Sequence, residues 1–216
     1  MKLLEELRAE HAQIEAVVDA LLTWADALEA RQADVAHGHA FVSFFRLFAG
    51  DYHHGREEGV LFPALVSETE VPGDRGPLAV LTMDHEIMGE MLTLLDEACA
   101  VGDRPRAEAL RHARQYAEAI LHHIDAENHV LFSEAEARFR RANVSELPSR
   151  APSDEEAHAR ALGVALVQRF PARPREHILR GESCTVCPAF GVRCEGVERE
   201  WWGEHEREDF FDRLGS

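Results

Sequence analysis

YHHGREEGVLFPAL at residues 52–65 and LHHIDAENHVLF at residues 121–132 align without gaps, placing His53 and Glu57 over His123 and Glu127, and Leu61-Phe62 over Leu131-Phe132. The chain therefore carries an internal repeat. His and Glu four residues apart share one face of a helix, so each copy aims an imidazole and a carboxylate at one point. His54 with Glu58 has the same spacing, and the alignment of the repeat selects His53 with Glu57.

Outward from the repeat, the chain reads as helix after helix. Residues 2–30 repeat apolar positions at three and four, through Leu3, Leu7, Ile14, Val18, Leu21 and Leu28, the pattern of an amphipathic helix. A second stretch runs from about Asp34 to Leu65, weakened by Gly50, Gly55 and Gly59 and with Pro63 near its end. VPGDRG at 71–76 is turn chemistry, a third helix follows from about Leu78 to Ala100, and a fourth from about Arg106 to Arg141. Four long helices with short connections predict an all-α, up-down-up-down four-helix bundle over residues 1–145. From Leu147, LPSRAPSDEE reads as a linker, Ser153 with Glu156 as a capping box, and Asp154 to Arg169 as a short helix. Residues 146–216 are thus a small helical and cysteine-containing appendage, expected to lean on the bundle or to hold a metal.

Each remaining helix of the bundle adds one histidine inside its apolar pattern, His11 in the first and His85 in the third. With a rise of about 1.5 Å per residue, His11 lies about nine residues after its helix begins and His53 about twelve before its helix ends. Antiparallel neighbours bring those depths together. His85 and His123 match more loosely. Four helices so direct His11, His53, Glu57, His85, His123 and Glu127 toward one layer. Imidazoles suit iron, zinc, copper and nickel, and carboxylates can join two ions while offsetting their charge. The Glu-x-x-His spacing of ferritin-like di-iron bundles occurs at Glu155 and His158, outside the bundle, which disfavours that plan.

The set resembles the hemerythrin-like, or HHE cation-binding, domain. The resemblance rests on RAEH at His11, HHGREEGVLFP at His53 and Glu57, DHEIM at His85, and HHIDAENHVLF at His123 and Glu127, and covers about residues 1–141. It implies a non-haem centre of two iron ions, oxo- or hydroxo-bridged, with Glu57 and Glu127 as bridges and a small diatomic ligand, oxygen or nitric oxide. The oxygen carriers of that family place a second histidine four residues after the third-helix one, where this chain has Gly89. The likeness therefore points to four-His, two-Glu bacterial members linked to iron-centre repair, nitric oxide response and oxygen or iron sensing. Glu15, four residues after His11, is expected to orient that imidazole. His37, His39, His112, His122 and His129 read as surface or packing residues.

Forty acidic against twenty-three basic residues give a net charge of -17, which repels a phosphate backbone and excludes nucleic acid as a partner. No apolar run has the length of a membrane span, and the acidic start MKLLEELRAEH does not read as a secretory signal. A cytoplasmic protein is expected. There, four cysteines argue against a disulfide framework. Cys99 reads as a buried thiol, whereas Cys184-x2-Cys187-x6-Cys194 with His177 or His205 has the spacing of a Cys3His zinc site. A redox thiol pair and plain reduced cysteines are the other readings of that cluster, and the appendage is also where a protein partner is expected. The functional expectation is a binding or sensing protein. The alternative is a di-iron enzyme or iron donor in iron-centre repair or in nitric oxide or peroxide detoxification, although no Gly-x-Gly-x-x-Gly motif is present to supply electrons.

Overall fold

Along α1 (Lys2–Glu29), Leu4, Leu7, His11, Ile14, Val18, Leu21, Ala25 and Leu28 alternate steps of three and four, and all are buried. That spacing keeps one stripe facing inward, and His11 occupies a place in the stripe that its neighbours give to Leu or Ile. A computed structural model describes residues 1–100 and 105–173, with positions 203 and 205. Those residues form helices and no strand.

After a single 3-10 turn at Val35–His37, capped by Asp34, a continuous helical run begins with α2 (Gly38–Phe44). It passes through two π-helical stretches, Phe45–His54 and Glu57–Leu61, and ends in α3 (Phe62–Thr69). α4 (Gly76–Ala100) repeats the inward stripe of α1 with Leu78, Leu81, His85, Met88, Leu92, Leu95 and Cys99. α5 (Pro105–Ala126) runs through a third π-helical stretch, Glu127–Leu131, into α6 (Phe132–Arg141). α7 (Asp154–Arg169) opens with the capping box read from the sequence, Ser153 Oγ accepting from Glu156 N and Ser153 N donating to Glu156 Oε2.

Contacts at the helix ends fix how these rods lie. Trp24 Nε1 donates to Asp34 O at 3.0 Å and Arg106 Nη1 to Leu28 O at 2.8 Å. The C-terminal end of α1 thus meets the start of the second run and the start of α5. His39 and Asp96, 2.7 Å apart, join the start of α2 to the end of α4. At the other end Leu3, Leu7, Leu61, Phe62, Leu81, Phe132 and Phe139 share one apolar cluster. A larger cluster around Trp24, Phe41, Phe45, Phe48, Met88 and Ile120 fills the first end.

Between the two clusters the core turns polar in every rod. His11 separates Leu7 from Ile14, His85 separates Leu81 from Met88, and the two repeat segments cross from the larger cluster to Leu61 and Leu131 in the smaller one. No helix among the described residues is long and apolar enough to cross a membrane.

α7 contacts α1 and the second run, with Ala159 and Leu166 in the larger cluster. Cys184, Cys187, Cys194 and His177 lie outside the described residues. His205 is described, with Nδ1 3.2 Å from Glu70 Oε2. Cys99 is a buried free thiol, pushed up to about 12 by burial and by Asp96.

Gly163 is where α7 comes closest. A Cβ there would lie 2.5 Å from Phe44 Cε2 and 3.2 Å from Val17 Cγ2. In an unencumbered helix interior, Gly to Ala stabilises by about 1 kcal/mol. Here Gly163→Ala is expected to destabilise by about 1–3 kcal/mol through overpacking, with faster hydrogen exchange in α7. A gain in stability on denaturant unfolding would contradict this packing.

Candidate metal centre

The π-helical stretches sit where the repeat places its histidine and carboxylate. Such stretches widen a turn by one residue and recur at functional sites. In an α-helix successive side chains diverge by about 100°, and a wider turn brings them closer in direction. His53 and His54, the last two residues of one such stretch, are both buried. Glu57 and Glu127 each open another, with no measurable exposure.

Two groups of donors result. His11, His53, Glu57 and Glu127 have ligand atoms within 4.8 Å of one another, and so do His54, Glu57, His85 and His123. All six residues expected from the sequence converge, and His54 joins them as a fifth imidazole, its ring stacked 3.8 Å from that of His85. Glu58 stays outside the layer. Among the other histidines, His37, His39, His112, His122 and His129 belong to neither group.

The imidazoles are oriented from outside. Nδ1 of His11 meets Asn128 Oδ1 at 2.9 Å, that of His53 meets Glu10 Oε2 at 3.0 Å, and that of His85 meets Glu58 Oε1 at 2.6 Å. Asp84 Oδ2 lies 3.6 Å from Nδ1 of His123, too far for a hydrogen bond. For His11, His53 and His85 the acceptor at Nδ1 fixes the ring proton there and leaves the Nε2 lone pair pointing inward. Asn128 thus orients His11, a role the sequence suggests for Glu15. The sequence reading missed Asn128, Glu10, Glu58 and Asp84 because their contacts cross between helices, beyond the reach of local spacing.

Inside, the ring nitrogens face one another in pairs. Nε2 of His11 faces Nε2 of His53 at 2.9 Å, and Nε2 of His85 faces Nε2 of His123 at 2.9 Å. Two lone pairs cannot hydrogen-bond to each other. Two nitrogens bound at right angles to one ion, with bonds of about 2.1 Å, stand about 3 Å apart. The carboxylates span both pairs. Glu57 has Oε1 3.5 Å from His53 Nε2 and Oε2 3.6 Å from His85 Nε2, and Glu127 has Oε2 3.1 Å from His11 Nε2 and Oε1 3.3 Å from His123 Nε2. All four carboxylate oxygens are buried without a hydrogen bond, a condition native structures rarely leave uncompensated.

The electrostatics carry the same message. Burial and the neighbouring Glu127 push Glu57 well above the usual carboxylate range. Burial acts upward on Glu127 too, yet His123 and His11 hold it well below that range. Burial, helped by His11, lowers His53 to about 4, whereas for His123 it is outweighed by Glu127 and Asp84, which raise it to about 9. With no cation present, one carboxyl must keep a proton and one imidazole must gain one. Five imidazoles and two carboxylates around two points fit a pair of first-row transition ions.

A buried histidine and carboxylate layer of this kind in a helical protein is a candidate site for metal cations. Residues 2–135 match the Hemerythrin HHE cation binding domain, and the chain belongs to that family. No curated protein and no solved structure matches the chain.

If Glu57 is buried beside Glu127 only by taking up a proton, a neutral amide in its place should relieve that cost. The metal-free Glu57→Gln chain is expected to be about 1–3 kcal/mol more stable than the metal-free parent. Thermal unfolding of both in excess chelator measures this, and a lower midpoint for the variant would count against a repelling carboxylate pair.

Proposed function

We propose that the chain is a non-haem di-iron protein that binds or senses oxygen, nitric oxide or iron, built as an up-down-up-down four-helix bundle over residues 1–145 with residues 146–216 appended. The observation that carries this reading is the buried layer, where inward lone pairs and unsatisfied carboxylate oxygens lie between two apolar clusters. His11 and His53 would hold one ion, and His85 and His123 the other, with His54 beside them. Glu57 and Glu127 would bridge. Bound iron supplies open coordination positions and the electrons for capturing a diatomic ligand. The apolar clusters flank it, and Asn128, Glu10 and Glu58 keep Nε2 of His11, His53 and His85 aimed inward.

Support for sensing, as opposed to mere storage, comes from a polar route leaving the layer. Glu10, which receives His53, also pairs with the guanidinium of the buried Arg56, and Arg56 pairs in turn with Glu6. Arg56 Nη2 donates to Ser149 Oγ at 3.2 Å, in the linker before α7. Next along the chain, Arg150 binds both oxygens of Glu156 at 2.6 Å, and Arg56 and Arg150 both lie over the Tyr52 ring, at 4.8 and 4.9 Å. The state of one pole of the layer can therefore reach the docking of α7.

Anaerobic purification with metal analysis, followed by optical spectra on adding oxygen and then nitric oxide, tests the assignment. About two iron per chain are expected, and Glu57→Ala with Glu127→Ala should abolish both, because two cations would lose the charge that offsets them. A double variant that keeps its full iron would overturn it. For the route to α7, Arg150→Met is expected to speed hydrogen exchange in α7 and, by reciprocity of coupling, to weaken iron affinity about two- to tenfold in equilibrium competition with a chelator. Unchanged iron affinity with a loosened α7 would show that the two are uncoupled.

A further inference from the structure

Between the second helical run and α4 lies a pocket of about 600 Å³ that ends at His54 and His85. A diatomic ligand needs little more room than a water molecule, whose share of the liquid is roughly 30 Å³, whereas pockets of about 300–1,000 Å³ hold small organic molecules. Most of this space would serve no purpose for a diatomic ligand alone. Its walls are apolar at Phe45, Met88 and Leu92, and Tyr116 reaches the lining from α5.

Tyr116 is the second observation. It is 1% exposed, lines the pocket and packs its ring 4.8 Å from that of Phe45. A tyrosine among apolar walls brings a polar handle to them. Burial also keeps it a neutral phenol by raising its ionisation, so it presents a donor to whatever fills the pocket. Gly89 is the third. An added Cβ at this α4 position would meet nothing within 4 Å, so the glycine, which costs a helix interior about 1 kcal/mol, leaves the pocket wide.

Charge narrows the occupant. Asp51 and Asp96 stand at the pocket, and its one arginine, Arg46, is engaged by Asp96 at 3.2 Å and by Thr93 Oγ1 at 3.2 Å. With a net charge of -17 on the chain as a whole, an anion is repelled on approach. We infer that the pocket binds a small neutral organic molecule with an acceptor oxygen, such as a carbonyl compound, its apolar body on Phe45, Met88 and Leu92 and its oxygen on the Tyr116 hydroxyl. This deepens the di-iron reading and rests on it for the identity of what lies beyond His54 and His85.

Acetophenone is a suitable probe and benzoate its charged counterpart. Ligand-observed saturation-transfer NMR on the full chain as purified, with iron measured on the same sample, is expected to show saturable binding of acetophenone and at least tenfold weaker binding of benzoate. Gly89→Phe, at an exposed helix position, should abolish acetophenone binding by filling the pocket, and Tyr116→Phe should weaken it about five- to tenfold. Both should retain the parent's iron and helicity. Absence of acetophenone binding to an iron-loaded parent, equal binding of benzoate, or full binding to a folded Gly89→Phe chain would each overturn the inference and leave the di-iron reading standing. A parent without iron would overturn that reading instead, and acetophenone binding that still responds to both substitutions would then support the pocket alone.

Discussion

Two carboxylates, Glu57 and Glu127, are buried completely among five imidazoles with none of their four oxygens hydrogen-bonded. The rest of the molecule is organised around that fact. A buried charge of this kind costs several kcal/mol unless something positive meets it, and the apolar clusters on either side leave little room for water to do so. The cost falls on the metal-free chain. It is offset there by protons shared out unevenly, with Glu57 pushed toward its neutral form and His123 toward its charged one. Divalent cations would replace those protons and satisfy the oxygens and the inward nitrogens together.

Much of this was legible in the sequence, because the relevant spacings are local. The three-and-four stripe of α1 places His11 in line with Leu7 and Ile14, and the repeat places His53 over His123 and Glu57 over Glu127. Both follow from the period of a helix. The capping box at Ser153 and Glu156 was readable for the same reason, since its two residues are three apart and its hydrogen bonds never leave the turn.

What sequence reasoning could not see depends on departures from that period or on contacts between rods. His54 was set aside because the alignment of the repeat selects His53, and a regular α-helix would turn the two apart. The π-helical stretch Phe45–His54 removes that objection, and nothing in local composition announces it. Pro63 is a partial signal: it has no N–H to donate, and it sits just past Glu57–Leu61. The aligned position in the second copy is Ser133, however, and the same widening occurs there without a proline. The partners of the Nδ1 atoms were invisible for the second reason. Asn128 reaches His11 from another rod, and Glu10 reaches His53 across the gap between α1 and the second run.

The two ends of the polar layer are not equivalent, and their difference bears on how a bound ligand could be reported. At the His11 and His53 end, Glu10, Arg56 and Glu6 close the layer and continue to Ser149, so this side faces the linker and α7. At the His54 and His85 end the layer opens into the pocket beneath Gly89. A molecule arriving there would perturb one imidazole pair directly, and the other through Glu57 and Glu127, whose oxygens span both pairs. A carboxylate that shifts toward one pair must shift away from the other, because its two oxygens are joined by one carbon. Ligand access and communication with α7 thus lie on opposite sides of the two residues whose burial costs the metal-free chain most.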